Sequence, residues 1–509
     1  MQSDLGKVNS ILCYVESKRH KSRACLLNPH LLVIEIDFNN YTQIDMTLIP
    51  TETEVKDIPG PRPFPLIGHI PYVLSSNPFE RMIQLCRRYG GLFRLQLYED
   101  SVVVVTDSDI VEELLDENRF EKRVVGILDS IRPIAGDGLI TARNDEENWA
   151  RAHRVLKPGF GRRAMSHYLP VMIQTTRKLV DRWAKLEGEW LDVNTDFTRL
   201  TIEIIGLCGF NYSFNCFEKE RLDEFIETID SILSEATISH QLPPFINRLR
   251  PGANKRMRLN QEATAKIFDR IVKERQAKGE WNHHDFLAMM LHGRDPKDGS
   301  QLSEENIRYQ LISFLIAGHE TTRSLLSFTL FFLSKHQTVL DRARTLVDQV
   351  FAEGDRDLSF QDLSRLSYLQ QILNESLRLW STAPAFMVGP KEETILRNGY
   401  RARKNDTFFI FLAGLHRDPK IWGQNPERFD PDRFAPEAVR VRPAHGYRPF
   451  GNGKRSCIGQ HFAMTEAQIA LAYILYFFDI EGDPCYELKI DHSLTIKPKN
   501  FYCRVRKRR

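Results

Sequence analysis

Apolar residues recur at helical spacing through the middle of the chain. Over residues 110–379 they follow intervals of three and four, as at Leu169, Met172 and Trp183. Side chains at these intervals share one face of an α-helix, so the pattern predicts a mainly helical body. One long helix is expected at about Glu304–Lys335.

Shorter patterns outside this region predict strands. Two apolar, β-branched runs at residues 92–97 and 102–106 flank a polar turn and predict a β-hairpin. After Pro384 the apolar runs shorten again, and one more helix is expected at about residues 460–478. Further strands are expected at residues 407–412, 488–490 and 501–505. The predicted fold class is mainly α with small β-sheets.

The two ends of the chain differ in character. Residues 1–55 carry no clear periodicity, and we treat them as an N-terminal extension of undetermined order. The proline-punctuated segment 58–65 follows, where fixed φ angles and lost N–H donors prevent a helix. No long Ser/Gly or Pro/Ser linker divides the rest, so residues 56–509 are expected to form a single domain.

Composition and charge exclude several classes of protein. The 509-residue chain is 42% hydrophobic and 27% charged, which suits a large core and is unlike a disordered protein. Its 70 basic and 67 acidic residues are interspersed and give a net charge of +3. A nucleic-acid binder would concentrate basic charge on one face, so we expect no nucleic-acid partner.

Signals for export or membrane insertion are also absent from the sequence pattern. The eight cysteines form no C-x-x-C pair, which indicates a reducing, intracellular setting. No run of about 20 apolar residues is uninterrupted, and charges recur before any signal-peptide core forms. The sequence predicts no transmembrane span and a cytoplasmic or peripherally membrane-associated protein.

The strongest local signal is a glycine-rich loop that ends in one cysteine. Residues 449–459 have the spacing F-x-x-G-x-R-x-C-x-G and stand directly before an apolar helix. A metal-bound thiolate at Cys457 needs a lowered pKa, which a helix N-terminus and backbone donors supply. Phe450 can shield the sulfur, Gly453 permits a tight turn, and Arg455 can meet a cofactor carboxylate. The alternative is a buried structural cysteine.

This spacing resembles the haem-binding loop of the cytochrome P-450 family, the haem-thiolate monooxygenases. The resemblance implies the cytochrome P-450 fold and haem b (iron protoporphyrin IX) as the cofactor. It implies that the thiolate of Cys457 is a ligand of the iron. It also implies activation of O₂ and hydroxylation of a C–H bond in the substrate.

A second motif, Glu375-x-x-Arg378, places an acid and a base on one helix face. Most such pairs are surface ion pairs that contribute little to stability. Together with the segment 431–434, this motif resembles the family's E-x-x-R helix and its P-x-R-F segment. The resemblance implies that Glu375, Arg378 and Arg433 act structurally, by fixing the loop that carries Cys457.

The run AGHETT at residues 317–322 lies midway along the predicted long helix. Glycine and threonine are poor helix formers, and such a loss of local stability often marks function. Alternatively, the Thr321 hydroxyl merely bonds the carbonyl one turn earlier. The run resembles the family's A-G-x-E-T segment, which implies that Thr321 and Glu320 deliver protons during oxygen activation.

Within the family, several motifs resemble the soluble fatty-acid hydroxylases that are fused to a reductase. They are Trp149-x-x-x-His153, residues 205–212, the AGHETT run and residues 450–453, and the likeness extends over about residues 59–505. Trp149 and His153 share a helix face, where an indole and an imidazole can donate to haem propionates beside Arg455. Simple core packing is the alternative. By resemblance, Lys122 is a further propionate contact.

The substrate anchor of that subgroup is not evident in this sequence. The Arg and Tyr that hold a fatty-acid carboxylate in those relatives align with Asp100 and Val104. An apolar pocket is still expected, with an isoleucine in place of a bulky phenyl ring. Its expected wall comprises Leu139, Ile140, Ala317, Ala385, Phe386 and Met387. The predicted substrate is a small lipophilic molecule, either a fatty acid or an intermediate of secondary metabolism.

Electrons are expected to come from a separate flavoprotein. The fused relatives continue into flavin-binding reductase domains, whereas this chain ends at Arg509. An NADPH-dependent cytochrome P-450 reductase or a similar flavoprotein is the expected source of NADPH-derived electrons. An exposed subset of nearby basic residues is a candidate docking face for it. These residues are Arg440, Arg442, Arg448, Lys454 and Arg455.

Two other functions stay open from the sequence. A haem-thiolate isomerase, dehydratase or peroxygenase would need no electron donor, although the intact Glu320-Thr321 pair favours oxygen activation. A non-catalytic haem sensor or carrier would need the cysteine loop but neither Thr321 nor a substrate pocket.

Overall fold

The computed structural model describes most of the chain. The described residues are 14–18, 21–26, 32–35, 55–65, 68–73, 78–97, 100–242, 247, 249–279 and 285–508. Most of the N-terminal extension expected over residues 1–55 lies outside the described residues. Contacts divide the chain into two compact units, Met1–Asp57 with Ile395–Arg401, and Ile58–Thr394 with Ala402–Arg509.

The first unit contains a small antiparallel sheet. Its strands are β1 (Tyr14–Lys18), β2 (Lys21–Leu26) and β3 (Leu32–Glu35), and β2 lies in the middle. Lys56 and Tyr400 make an isolated parallel bridge within the same unit.

The second unit is mainly helical. Its helices are α1 (Ile70–Val73), α2 (Pro78–Tyr89), α3 (Ser108–Leu114), α4 (Ile127–Ser130), α5 (Arg132–Ala135), α6 (Glu147–Leu156), α7 (Arg162–Lys185), α8 (Val193–Phe210), α9 (Glu224–Gln241), α10 (Pro251–Lys278), α11 (Phe286–His292), α12 (Glu304–Lys335), α13 (Gln337–Val350), α14 (Phe360–Arg365), α15 (Ser367–Leu379), α16 (Leu412–Leu415), α17 (Pro419–Trp422), α18 (Pro436–Val441) and α19 (Gln460–Phe477). Short 3₁₀ helices occur at Lys157–Phe160, Pro431–Phe434, Ala444–Gly446 and Gly453–Arg455.

The remaining strands form small sheets. They are β4 (Leu92–Leu97), β5 (Asp100–Val105), β6 (Phe120–Lys122), β7 (Leu191–Asp192), β8 (Ala385–Pro390), β9 (Thr394–Ile395), β10 (Arg401–Ala402), β11 (Thr407–Phe411), β12 (Phe478–Gly482), β13 (Ile490–His492), β14 (Ile496–Pro498) and β15 (Tyr502–Lys507). A five-stranded sheet has the order β4-β5-β11-β8-β6, in which only β5 and β11 are parallel. The smaller sheets are β12-β15-β7, β13-β14 and β10-β9.

The predicted class, mainly α with small sheets, is confirmed. The predicted hairpin is the pair β4 and β5, where Phe93 lies opposite Val104. The expected strand at residues 407–412 is β11, which ends one residue earlier. The segment expected at 488–490 is a strand only from Ile490, because pairing with β14 begins there.

Helix α12 has the bounds that the sequence predicts. Ser303 caps its N-terminus by accepting the backbone N–H of Asn306, and Glu304 and Glu305 follow in the first turn. Lys335 stands in the last turn, so charges at both ends complement the helix dipole. Most of the helix is buried, and it packs closely against α8 and α15. Its middle residues therefore lie in the interior of the unit.

The apolar core of the second unit surrounds α12. Residues of α7, α8, α15 and α19 contribute to it, and Phe197, Leu326 and Leu471 are fully buried examples. Burying one such side chain contributes about 1.5–3 kcal/mol, so the core holds the walls of the site rigidly. Among the described residues, none of the helices combines the length and the apolar character that a bilayer crossing needs.

Candidate functional site

A largely apolar cavity of about 680 Å³ lies in the second unit. Its walls come from the middle of α12, the loop before α19, strands β8 and β11, and the turn between β13 and β14. Cys457 and Thr321 both line it. The residues expected in the substrate pocket also line it, namely Leu139, Ile140, Ala317, Ala385, Phe386 and Met387.

Cys457 reaches the cavity from the loop that precedes α19. Its backbone N–H donates to the carbonyl of Phe450 at 2.8 Å, which closes the loop. The thiol is exposed toward the cavity, while protein surrounds the cavity itself. Burial raises the pKa of the Cys457 thiol, and a hydrogen bond from the Gly459 backbone lowers it in part. A thiolate is therefore favoured here only beside a metal cation.

Gly453 permits the tight turn that the sequence predicts, since its φ is +58°. A Cβ at this position would collide with the carboxylate of Glu117. That carboxylate accepts the backbone N–H of Lys454 at 2.8 Å. The described cavity wall includes Gly451 and Asn452 but not Gly453. Gly453 thus shapes the loop from behind, and the neighbour that requires a glycine is Glu117.

Glu375 and Arg378 form a fully buried ion pair at the C-terminal end of α15. Arg378 Nε lies 2.7 Å from Glu375 Oε2, and Arg378 Nη2 lies 2.8 Å from Oε1. The guanidinium also donates to the carbonyls of His416 at 2.9 Å and Pro426 at 2.7 Å. Burial raises the pKa of Glu375, and Arg378 lowers it in part. This pair therefore lies in the interior and is not a surface ion pair. We call Glu375 and Arg378 the bracket, because they join α15 to the chain at His416 and Pro426.

Arg433 joins the bracket loosely. Its Nε lies 3.8 Å from Glu375 Oε1, while its Nη groups donate to the carbonyls of Trp422 at 2.6 Å and Asn425 at 2.8 Å. Glu375 Oε1 also accepts the backbone N–H of Asp430 at 2.8 Å. The three motif residues therefore tie α15 to the segment that leads into the cysteine loop.

His416 extends this bracket to the cysteine loop. Its carbonyl accepts from Arg378, and its Nε2 accepts the backbone N–H of Arg448 at 3.0 Å. Burial beside Arg378 lowers the pKa of His416 to about 3, so the ring is neutral and its Nε2 stays an acceptor. Arg448 stands two residues before Phe450, which bonds the Cys457 N–H. Hydrogen bonds, together with the short backbone segment 448–450, thus connect Glu375 to Cys457.

Four side chains that are basic or can donate a hydrogen bond lie together on the cavity wall near Cys457. The Arg455 guanidinium lies 4.0 Å from the Trp149 ring centre, and Trp149 stacks on His153 at 5.0 Å. Lys122 completes the group and donates to the carbonyl of Ile140 at 2.7 Å. The structure therefore brings together all four residues that were expected to contact propionates.

Among the described residues, Glu146 and Glu121 act on Arg455 only through their charge, and neither Arg455 nor Lys122 forms a close ion pair. Arg455 Nη1 is buried and has no hydrogen-bond partner in the described part of the chain. Burial and the charge of Arg455 lower the pKa of Lys122 to about 7, and burial lowers the pKa of Arg455 to about 10. Enclosed cations are stable when they are paired, so the cluster fits an anionic group. A thiol, two enclosed cations and an apolar space together fit haem.

Thr321 and Glu320 face different surroundings. Thr321 lines the cavity, and its Oγ1 donates to the carbonyl of Ala317 at 2.8 Å, the backbone bond that was the structural alternative. Glu320 is only 2% exposed, and its carboxylate accepts from Arg323 Nη2 and Thr495 Oγ1, each at 3.1 Å. The two proton-delivery candidates are adjacent in sequence but are not bonded to each other through these hydrogen bonds.

Several residues of the site were not expected from the sequence. Thr495 bonds Glu320 from a hairpin 175 residues away, His416 links the bracket to the loop, and Glu117 supports the loop turn. None of the three belongs to one of the sequence motifs described above. The sequence does not identify these residues, because the contacts that show their roles form only when distant segments of the chain meet.

The expected loss of a carboxylate anchor stays a prediction. Val104 is buried, 1% exposed, and lies in the sheet opposite Phe93 rather than on the described cavity wall. The side chain of Asp100 lies outside the described residues. Arg123 does line the cavity, but its Nη2 donates to the carbonyls of Pro390 and Lys404, each at 2.8 Å.

Comparison with known proteins places the chain in a family. Its residues 58–505 match the family model described as Cytochrome P450. A bifunctional cytochrome P450/NADPH–P450 reductase of Bacillus cereus is 40% identical over 456 residues, which cover 89% of this chain and 42% of that protein. A second such protein, from Bacillus subtilis, is also 40% identical over 456 residues, 89% of this chain and 43% of its own length.

A fungal relative is also similar over most of this chain and over less than half of its own length. A self-sufficient cytochrome P450 monooxygenase of Aspergillus niger is 37% identical over 459 residues, 90% of this chain and 43% of that protein. The chain thus spans about two-fifths of the length of these relatives. The family match covers the cysteine loop, the buried bracket and the middle of α12. The chain therefore belongs to the cytochrome P450 family.

Proposed function

We propose that this protein is a haem-thiolate monooxygenase that activates O₂ and hydroxylates a C–H bond of a lipophilic substrate. Its electrons derive from NADPH through a separate flavoprotein. The observation that carries the proposal is that Cys457 and Thr321 line one apolar cavity. A metal-binding thiol and a helical hydroxyl facing the same enclosed space suit oxygen chemistry from which bulk water is kept out.

The cofactor-binding roles follow from the geometry of the cavity wall. Cys457 would hold the iron, and Phe450 would shield the sulfur. Arg455, Lys122, Trp149 and His153 would hold the propionates through hydrogen bonds and charge. Bound haem supplies the redox and O₂ chemistry, and its thiolate ligand favours O–O cleavage. The protein contributes the position of the substrate, the exclusion of water and the supply of protons.

Proton supply is assigned to the middle of α12. The Oγ1 of Thr321 holds a proton at the cavity wall, and the side chain of Glu320 stands behind that wall and supplies a proton when it is in the carboxyl form. A positioned acid contributes about 10²- to 10⁴-fold to a reaction rate, so loss of this supply has a large effect on product formation.

The substrate is proposed to bind through apolar contact. Leu139, Ile140, Ala385 and Phe386 provide side-chain surface without charge. On the described wall, Lys122 and Arg455 belong to the cofactor cluster, and Arg123 already bonds two carbonyls. A substrate carboxylate would find no spare arginine there, which favours a lipophilic molecule held by its hydrocarbon part.

Turnover with NADPH, a flavoprotein reductase and O₂ tests the proposed function. Native protein is expected to form hydroxylated product, and Thr321→Ala to lose at least about ten-fold in product per NADPH oxidised, with hydrogen peroxide formed instead. The matched control is Thr329→Ala, which removes another α12 hydroxyl that bonds a carbonyl one turn earlier. The control is expected to behave like the native protein.

Three results would contradict the proposal. Product that forms without NADPH and O₂ would support an isomerase, and product from peroxide alone would support a peroxygenase. Haem-loaded protein that forms no product from a broad panel of lipophilic compounds would support a sensor or carrier.

The electron-donor face is proposed to include Arg440 and Lys454. Both side chains are exposed, whereas Arg455 stacks on Trp149 at the cavity. Arg442 lies over the rings of Trp422 at 4.7 Å and Phe434 at 4.5 Å. Only the exposed subset of the basic residues is thus available to an acidic flavin domain.

Charge reversal tests this docking face. Lys454→Glu is expected to slow reduction by the flavoprotein several-fold at low ionic strength, and the difference is expected to shrink as salt screens the charges. Lys255→Glu makes the same change in net charge on the exposed side of α10 and is the control. Equal effects of both variants, or no salt dependence, would exclude the face.

A further inference from the structure

The carboxylate of Glu320 has a partner on each oxygen. Arg323 Nη2 donates to Oε1 at 3.1 Å, and Thr495 Oγ1 donates to Oε2 at 3.1 Å. All three residues are buried, being 2%, 4% and 6% exposed for Glu320, Arg323 and Thr495 respectively. Glu320 is not among the described residues that line the cavity. Any exchange of protons between Glu320 and the cavity in this arrangement therefore needs a group between them.

Thr495 occupies that position. It stands in the turn before β14, lines the cavity and bonds Glu320 with the same hydroxyl. Thr321, the neighbour of Glu320 in sequence, instead donates its proton to Ala317 at 2.8 Å. A hydroxyl has one proton and two acceptor lone pairs. Once Glu320 is protonated, Oγ1 of Thr495 can therefore accept from the carboxyl and donate its own proton to a cavity group at once.

We propose that Thr495 is a second cavity hydroxyl, besides Thr321, and that it passes protons from Glu320 into the cavity. This inference rests on the proposed monooxygenase function and adds a positioning and relay residue to it. Thr495 comes from a β-hairpin, not from the helix that contains Glu320. The acid and its alcohol partner are thus supplied by two separate elements.

The relay step conserves protons and charge. A protonated Glu320 carboxyl gives its Oε2 proton to Oγ1 of Thr495, and Oγ1 releases its own proton to an acceptor in the cavity. The O–H bond of the carboxyl and the original O–H bond of Thr495 break, a new O–H bond forms on Thr495 and a new bond to hydrogen forms on the acceptor, and Glu320 is left as a carboxylate. That carboxylate keeps the hydrogen bond that Arg323 Nη2 donates to its Oε1.

The other side of the Glu320–Arg323 pair leads away from the cavity. Arg323 Nη1 donates to Thr198 Oγ1 at 3.2 Å, and Thr198 Oγ1 donates to the carbonyl of Asn194 at 2.9 Å. Asn194 is half-buried near the beginning of α8. These hydrogen bonds hold the Arg323 guanidinium in place beside Glu320.

A purely structural role for Thr495 is separable from the relay. Without its hydroxyl, the hairpin keeps the bond from the Ile496 N–H to the Thr382 carbonyl at 2.9 Å. It also keeps the ion pair of Lys497 with Asp491 at 3.5 Å. Thr495→Val is therefore expected to fold, and Asp491→Asn is the control for a loosened hairpin.

Product yield and hydrogen peroxide are measured in haem-loaded protein with a reductase. Thr495→Val is expected to lose at least about ten-fold in product per NADPH, with peroxide in its place, while NADPH oxidation continues. Thr495→Ser keeps a hydroxyl and is expected to recover most of the yield. The Asp491→Asn control is expected to match the native protein.

A double-mutant cycle with Glu320→Gln tests the pathway. The losses of Thr495→Val and Glu320→Gln are expected to be non-additive, because both interrupt one relay. Infrared spectra provide a readout independent of turnover: the carboxyl band that disappears in Glu320→Gln is expected to shift in Thr495→Val but not in Thr321→Ala. If Glu320→Gln does not fold, a shift between the spectra of native protein and Thr495→Val serves instead.

The outcomes separate failure of the relay from failure of the function. Native protein that gives no NADPH-dependent product would overturn the proposed function. If native protein forms product and Thr495→Val gives the same product yield, the relay is wrong but the proposed function stands. A loss of yield in Thr495→Ser equal to that in Thr495→Val would have the same meaning. Additive losses in the double mutant would also overturn the relay alone.

Discussion

The two walls of the cavity are held in different ways. The wall with Cys457 is tied by hydrogen bonds and buried charge, from Glu375 and Arg378 through His416 to the loop. The wall with Ile140 and Phe386 is held by apolar packing, and its side chains carry no charge. A directional network fixes one geometry, whereas apolar contacts admit changes of shape at smaller cost. One wall therefore suits a fixed cofactor, and the other suits a variable substrate.

The largest effect is expected from breaking the charged bracket. Arg378→Met leaves the Glu375 carboxylate buried without its main partner, so the free energy of unfolding is expected to fall by about 3–5 kcal/mol. Urea unfolding measures this change, and haem content after purification reports the state of the loop.

The matched control for that variant is an exposed ion pair. Arg87 lies 3.3 Å from Glu427, with 69% and 55% of the two side chains exposed. Arg87→Met is expected to change the free energy of unfolding by less than about 1 kcal/mol. Equal losses in both variants would mean that the bracket is not what holds the cysteine wall.

A smaller effect is expected at Lys122. Its pKa of about 7 in the haem-free cavity is low because of burial and the nearby Arg455. A bound propionate would favour the charged lysine, so Lys122 would take up a proton on haem binding above pH 7, and its contribution to haem affinity would fall as the pH rises from there. The Cys457 thiol, which loses a proton when it binds the iron, contributes with the opposite sign. Lys122→Met is expected to weaken haem binding by about ten-fold and to remove the contribution of Lys122 to the pH dependence.

Haem transfer to an acceptor protein measures that prediction between pH 6 and pH 9. Lys178→Met is a suitable control, because Lys178 is an exposed partner of Glu218 outside the cavity. An unchanged pH dependence in Lys122→Met would show that this lysine does not face the propionates.

The motif residues were the predictable part of the site. Cys457, Arg455, Glu375 and Arg378 stand at spacings that their chemistry requires, and the structure places them on the cavity wall or in the bracket behind it. The bounds of α12 were predictable too, because Ser303 and the flanking charges mark its ends locally.

The less predictable residues act across long sequence distances. Thr495 bonds Glu320 over 175 positions, and Glu117 supports a loop 337 positions later. Ordinary side chains of this kind have no local pattern, because their role appears only when the chain folds. A second reason for the glycine at position 453, besides the turn, could not be predicted either, since Glu117 is the group that a Cβ would meet.

The smallest effect is expected on the apolar wall. A fatty acid and its methyl ester differ only in the charge of the head group, so a cavity without a carboxylate anchor is expected to bind them within about three-fold of each other. Titration of haem-loaded protein, followed by the spin-state change of the haem, measures both affinities. Acid binding that is tighter than ester binding by about 100-fold would reveal an anchor and narrow the substrate to fatty acids.

The thiolate of Cys457 is tested most directly by the spectrum of the reduced, CO-bound protein. Folded, haem-loaded native protein is expected to show the red-shifted Soret band that a thiolate ligand produces, and Cys457→Ser is expected to lose it. A native spectrum without that band, or a band that survives in Cys457→Ser, would contradict the assignment of Cys457 as the iron ligand.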